Sequence, residues 1–281
     1  MLKFIHEKYY IFILALVILL SILLILRNLL IKKIKRPSIQ IENGTTIGKE
    51  EIQENYLDIV YSPHGILTVL ADGIGKNEAG RISSIVAVKT FTSLFSELGI
   101  GQKIEYFFKR AFNIASSEIL KRVDNNQGGA SVVSAIVIDN LLYYGLAGNT
   151  MIAVYRKGEL FKLSEGHTVN VLAKKEFYKG KITKEHALAA LKEERLLHYV
   201  GQEGFNDIEM FEKPVILQQG DIVVLMNKGV YDCLKWVQLE QIIIKNRKFE
   251  HLSNEIIEAI KKTKKQNKYN ASIILMKYVG N

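Results

Sequence analysis

The sequence predicts an α+β fold, antiparallel sheets carrying pairs of helices on their faces, preceded by one N-terminal transmembrane helix. Three observations lead there. Apolar runs joined by two- or three-residue turns follow one another between residues 130 and 163, the pattern of antiparallel hairpins. Two segments with apolar residues near a 3.6-residue period succeed each other between Ile82 and Val123, so they must pack as a helix pair on one sheet face. No charged residue occurs from Tyr9 through Leu26, and Leu29 to Ile31 resumes the apolar run.

The N-terminal segment divides into a short flank at 1–8, a membrane helix at 9–31 and a basic juxtamembrane linker at 32–43. A bilayer core takes roughly 20 apolar residues, and Tyr9, Tyr10 and Arg27 suit its two interfaces. A cleaved signal peptide fits less well, because the run is long and no small-x-small site follows it. Lys32, Lys33, Lys35 and Arg36 outweigh the basic residues before the run. The positive-inside rule therefore places the C-terminal domain in the cytoplasm, at a cell membrane crossed once. Only Ala15 and Ser21 are small within the run, so close helix packing in a membrane complex is not indicated.

The folded domain is drawn from Gly44 to Asn281. Strands are expected at Tyr56–Val60 and Ile66–Leu70, then helices from Ala79 to Leu98 and from Ile104 to Val123. Next come strands at 130–138, 141–147, 151–155 and 159–163. The charged stretch from Lys174 to Arg195 reads as a helical excursion and as the first candidate for a partner surface. Strands at 215–217 and 221–226, helices at 236–244 and 252–260, and a last strand at 271–277 complete the domain.

With 48% hydrophobic residues and 3 prolines among 281 residues, the chain is a folded one. A single cysteine, Cys233, excludes an internal disulfide and a thiolate zinc site. The net charge of +9 does not point to nucleic acid, because its lysines cluster after the apolar run and along a C-terminal helix. His64, His167, His186, His198 and His251 lack the i, i+4 pairing of a zinc helix.

The stretch most suggestive of chemistry is Val69 to Gly80, where an apolar strand runs into Asp72-Gly73-Ile74-Gly75 and then a helix. Glycine lets a ligand approach the backbone while a strand end holds the carboxylate. Asp-Gly is equally an ordinary turn dipeptide. Spacing alone leaves both readings open.

Other motifs follow in order. Ile47-Gly48-Lys49-Glu50 leads to Glu54-Asn55; Gly129-Ala130-Ser131 precedes Ala147-Gly148-Asn149-Thr150; Leu163-Ser164-Glu165-Gly166-His167-Thr168 comes next. Gly220-Asp221, Asn227-Lys228-Gly229-Val230-Tyr231-Asp232 and Tyr269-Asn270-Ala271-Ser272 close the series. The succession resembles the metal-dependent serine/threonine protein phosphatases of the PPM type (protein phosphatase type 2C-like). That resemblance implies a four-layer α-β-β-α sandwich of two antiparallel sheets and two Mg²⁺ or Mn²⁺ ions held by carboxylates. It also implies an arginine that clamps the phosphate.

Of the positions it implies for metal, Asp72 and the carbonyl of Gly73 are kept. Asn55, Lys228 and Tyr269 stand where the family has aspartates, Glu50 where it has the clamping arginine, and Asn149 where its Gly-Asp-Ser/Thr turn has aspartate. Lys228, if it projects toward Asp72, neutralises the remaining carboxylate as a metal would, and an ion pair between them is expected. A lysine in a solvent-facing turn is the plainer reading.

The expectation is a membrane-anchored pseudophosphatase with no catalytic residue assigned and no metal cofactor. It would bind a cytoplasmic protein partner, phosphorylated or regulatory, and no nucleic acid. Two alternatives stand beside it: an active Mg²⁺- or Mn²⁺-dependent phosphatase using displaced ligands among Glu50, Glu51, Glu54, Asp58 and Asp232, and a structural subunit of a membrane complex.

Overall fold

The structure, a computed structural model, describes residues 13–24, 26, 39–63, 65–76, 78–97, 103–123, 128–193, 195–246, 248–265 and 268–280. The flank at 1–8, Tyr9, Tyr10, Arg27, the basic cluster at Lys32, Lys33, Lys35 and Arg36, and His64 lie outside the described residues. Residues 13–24 are helical with exposed apolar side chains. Among the described residues no helix is long and apolar enough to cross a membrane, and the expected span at 9–31 falls partly outside them.

Ile39–Gly280 form one compact unit. Its first half runs β1 (Ile39–Thr46), β2 (Asn55–Ser62), β3 (Gly65–Gly75), α1 (Ala79–Ser96), α2 (Ile104–Arg122), β4 (Gly128–Ile138) and β5 (Leu141–Ala147). Next come β6 (Met151–Arg156), β7 (Glu159–Lys162), α3 (Val169–Tyr178), α4 (Lys184–Ala190), β8 (Glu209–Met210) and β9 (Val215–Ile216). The chain ends with β10 (Ile222–Met226), α5 (Lys228–Cys233), α6 (Trp236–Lys245), α7 (Leu252–Lys262) and β11 (Ala271–Tyr278). One antiparallel sheet has the order β1-β11-β10-β6-β7 and the other β2-β3-β4-β5-β8, with β9 also pairing β5.

Side-chain alternation along the strands builds four layers. Leu67, Val69 and Ala71 of β3 pack under α1 and α2, together with Phe91, Phe107 and Phe112. Ile273 and Leu275 of β11 pack under α6 and α7 with Leu239, Ile243 and Ile256. The opposite faces, Leu70, Val133, Leu146, Val223, Leu225, Ile274 and Met276, meet between the sheets. Edge-to-face rings bind α1 to α2, Phe91 and Phe112 having centroids 4.8 Å apart.

Several expected boundaries move. β1 begins at Ile39, inside the segment assigned to the linker, and pairs with β11 over its whole length, Ile39 opposite Tyr278. The reason is legible in Ile39-Gln40-Ile41-Glu42, whose alternation buries Ile39 between the sheets. The turn expected at Asp72 is strand, since β3 continues to Gly75 paired with β4. The hairpin expected between β5 and β6 does not form: Gly148, at φ +109° with Ser131 pressed against it, carries the chain from one sheet to the other. Between residues 169 and 190 the charged excursion is a helical pair, α3 and α4, that leaves Leu172, Phe177, Tyr178, Leu188 and Leu191 exposed.

Candidate functional site

The same alternation that builds the core aims the site. Asp72 shares the parity of Leu70, so it falls on the face between the sheets, opposite Asn55 of β2 and Ser131 of β4. Asn227 extends the parity of Val223 and Leu225, and Ser272 that of Ile274 and Met276. Polar residues therefore replace apolar ones where the two sheets end. The result is a cavity of about 400 Å³ lined by Glu50, Glu54, Asp72, Gly73, Lys228, Gly229, Tyr269 and Asn270.

The two glycines are there for contact distance. A Cβ on Gly73 would sit 2.2 Å from the Gly80 carbonyl oxygen, where α1 backs onto β3, and one on Gly229 would sit 2.1 Å from the Asn270 carbonyl oxygen. Asparagines lace the floor. Asn227 Nδ2 donates to the Asn270 carbonyl at 2.8 Å and its Oδ1 accepts from Ser272 N–H at 2.9 Å. Asn270 Oδ1 accepts from Glu54 N–H at 2.6 Å, and its Nδ2 donates to the Ile47 carbonyl at 2.9 Å, fixing the 47–54 loop to the start of β11.

Asp72 keeps partial solvent access as a residue, yet its carboxyl is set deep enough that burial pushes its pKa up from 3.8 to about 7. The hydrogen bond from Asn227 opposes this; the Glu54 charge adds to it, and the Lys228 charge opposes it least. Glu54 is itself raised above the ordinary carboxylate value, first by burial and then by Glu50.

Lys228 opens α5 instead of occupying a turn. Its ammonium lies 2.7 Å from Asp232 Oδ2 and 5.8 Å from the Tyr231 ring centroid. The i, i+4 spacing of Lys228 and Asp232 signals that pair, and the sequence expectation, directed at Asp72 alone, overlooked it. Asp232 also receives Lys265 at 3.8 Å.

Of the residues singled out from sequence, Glu50, Asp72, Gly73, Lys228 and Tyr269 share this cavity. Asn55 faces a neighbouring one, with Nδ2 donating to Ser272 Oγ at 2.9 Å and Oδ1 without a partner. Asn149 lies on the far side of Lys228, and Tyr231 O–H donates to its carbonyl at 2.6 Å. His167 holds that corner, because Gly148 N–H donates to its Nδ1 at 3.0 Å. Burial lowers the His167 pKa.

Among the displaced-ligand candidates, Glu50 and Glu54 reach the Asp72 cavity, whereas Glu51 lines the cavity beside Asn55. Asp58 is exposed and accepts the Ile59 amide, and Asp232 is engaged by the two lysines. Asn227 and Asn270 stand inside recognised motifs, but nothing in their spacing marks them as the floor of the cleft.

Hard divalent ions require converging oxygen donors with negative charge. Among the described residues no three histidine, cysteine, aspartate or glutamate side chains are grouped to hold an ion. A lysine, Lys228, lines the same cavity. The described residues do not fit a two-metal centre.

No family model matches the chain. It is 24% identical over 188 residues to the serine/threonine phosphatase stp of Listeria monocytogenes, covering 64% of this chain and 73% of that protein. It is 26% identical over 183 residues to protein phosphatase PhpP of Streptococcus pneumoniae, covering 63% and 72%. The S. agalactiae serine/threonine phosphatase superimposes with a TM-score of 0.74 at 18% identity, over 85% of this chain and 99% of that one. The catalytic domain of phosphatase PstP, solved with two manganese ions, superimposes with a TM-score of 0.66 at 18% identity, over 85% and 97%. The chain has the fold of these bacterial serine/threonine phosphatases, and its sequence is similar to those of stp and PhpP.

Proposed function

We propose that this chain binds a phosphorylated protein at the cytoplasmic face of a membrane without hydrolysing it. The observation that carries this reading is the composition of the cleft: Lys228 lines the same cavity as Asp72, whose carboxyl is pushed up to about 7. In a metal phosphatase the ions hold such carboxylates ionised and polarise the phosphoryl oxygens. Here Asn55, Lys228 and Tyr269 supply no carboxylate, and Glu50 repels a phosphoryl group where the resemblance places an arginine.

A second reading, a hydrolase on displaced ligands, draws on the approach of Glu50 and Glu54 to Asp72 in one cavity. Turnover separates the two. With the 39–281 fragment, whose apolar clusters all lie within it, a phosphothreonine peptide and millimolar Mn²⁺, phosphate release should be no faster than with Asp72→Ala. Release that Asp72→Ala abolishes would sink the binding reading.

The anchor is part of the proposal. The charge-free run from Tyr9 to Leu26 and the basic residues after it support a span over 9–31. The full chain should stay in the membrane pellet after alkaline carbonate; its release to the supernatant would refute the span.

A further inference from the structure

We propose that the cavity on the far side of Lys228 from Asp72 is a binding site for a phosphomonoester dianion, the phosphorylated side chain of a partner protein. This rests on the reading of the chain as a binder. The cavity, of about 110 Å³, is lined by Asn149, Thr150, Lys162, Thr168, Lys228 and Tyr231 among others. Thr150 and Asn149 come from the crossing between the sheets, Lys162 from the end of β7, and Lys228 from the start of α5.

Three features point to an anion of this kind. Two lysines, Lys162 and Lys228, line a space of phosphoryl size. The N-terminus of the ten-residue helix α3 opens onto it through Thr168, Asn170 and Val171, so the positive end of a helix dipole faces the occupant. Thr150 is only 3% exposed, and its hydroxyl has no hydrogen-bond partner among the described residues, a costly state for a buried polar group that a ligand oxygen would relieve.

The amides of α3 are already engaged. Val169 N–H donates to the Arg195 carbonyl, Asn170 N–H to the Glu193 carbonyl and Val171 N–H to Asn170 Oδ1. Direct donors must therefore be side chains, among them Lys162 and Lys228, and the buried Thr150 hydroxyl can join them only by turning toward the occupant. Lys228 keeps Asp232 at 2.7 Å, while among the described residues Lys162 is held by Glu165 at 3.8 Å, a long contact that lets it turn toward an anion. Glu165, about half exposed, is the one carboxylate in the lining among the described residues and opposes binding. Lys228 thus separates a carboxylate side, with Glu50, Glu54 and Asp72, from a cationic side. A phosphoryl group is excluded from the first and accepted by the second.

The test is calorimetric titration of the 39–281 fragment with a phosphothreonine peptide, its unphosphorylated form, inorganic phosphate, and vesicles containing phosphatidic acid. The phosphopeptide should bind and its unphosphorylated form should not, with inorganic phosphate weaker than the phosphopeptide. Lys162→Gln should weaken the phosphopeptide about tenfold, the size of one charge-assisted hydrogen bond, and Glu165→Gln should tighten it several-fold. Thr150→Val should weaken it as well. Lys162 ends an edge strand and its side chain is 35% exposed, so an unchanged melting curve for Lys162→Gln excludes misfolding as the cause.

Phosphopeptide binding indifferent to Lys162→Gln and Glu165→Gln would overturn this site while leaving the binding reading intact. Lys162-dependent binding of vesicles but not of the phosphopeptide would overturn it in favour of lipid. Lys162-dependent affinity with Mn²⁺-driven hydrolysis would keep the site and overturn the binding reading.

Discussion

Asp72→Asn is expected to stabilise the 39–281 fragment at pH 8 in the presence of a chelator. A carboxyl raised from 3.8 to about 7 on folding binds its proton more tightly folded than unfolded. Its contribution is fully present below the unfolded pKa and is lost as pH rises through the folded one. Stability therefore falls between about pH 4 and pH 7 and levels off above. At about 1.36 kcal/mol per pKa unit the full loss is roughly 4 kcal/mol, and solvent in the open cavity reduces it to about 2. Asparagine carries no such charge. In urea denaturation the advantage of Asp72→Asn over the native chain should grow by about 1 kcal/mol from pH 5 to pH 8. An Asp72→Asn variant that is less stable at both pH values by the same amount would show that the carboxylate is not under strain. A bound cation would act in the opposite direction, holding Asp72 ionised and stabilising.

The second large effect is remote from the cleft. Asp221, 3% exposed at its side chain, is gripped by Arg156, whose Nε lies 3.0 and 3.1 Å from the two carboxylate oxygens and whose Nη2 lies 2.5 Å from Oδ2. Gln218 N–H adds a bond at 2.7 Å, and Arg156 Nη2 also donates to the Ile216 carbonyl at 2.8 Å. This ties the end of β6 to β9 and to the entry of β10. Arg156→Ala leaves a buried carboxylate uncompensated and should cost about 3–5 kcal/mol. Arg156→Lys, which keeps the charge and loses the fork, should recover only part of it. A urea midpoint unchanged by Arg156→Ala would contradict the pair's role.

The layers were legible because strand alternation and helix periodicity each have one solution here. Leu67, Val69 and Ala71 must turn to the helices if Leu70 turns to the other sheet, and the run is apolar on both sides. The boundaries that failed did so for identifiable reasons. Ile39 and Ile41 alternate with polar residues, but a two-residue apolar signal next to Pro37 reads as linker until a partner strand is known. Gly148-Asn149 has the composition of a hairpin turn; only the packing of Gly148 on Ser131 sends the chain across the sheets. Asp72 resembled a turn residue because two glycines follow it, yet Gly73 is selected by the approach of Gly80, 2.2 Å from where a Cβ would lie.

Site residues divide along the same line. Glu50 and Tyr269 lie 219 residues apart, with Asp72 and Lys228 between them, and ordered motifs, not spacing, brought them together. The partner of Lys228 at Asp232 was readable from helical spacing once α5 was known to be a helix. The orphan hydroxyl of Thr150 and the carbonyl contacts of Asn270 depend on atoms from different layers, which no local pattern encodes.

On the function proposed above, protein charges and not metal ions occupy the cleft. The most direct test is a calorimetric titration of Mn²⁺ into the 39–281 fragment at pH 7, beside Asp72→Ala. No heat beyond dilution in either protein is the result expected here. Binding in the native fragment that vanishes in Asp72→Ala would contradict the claim and place an ion on Asp72 with Glu50 or Glu54.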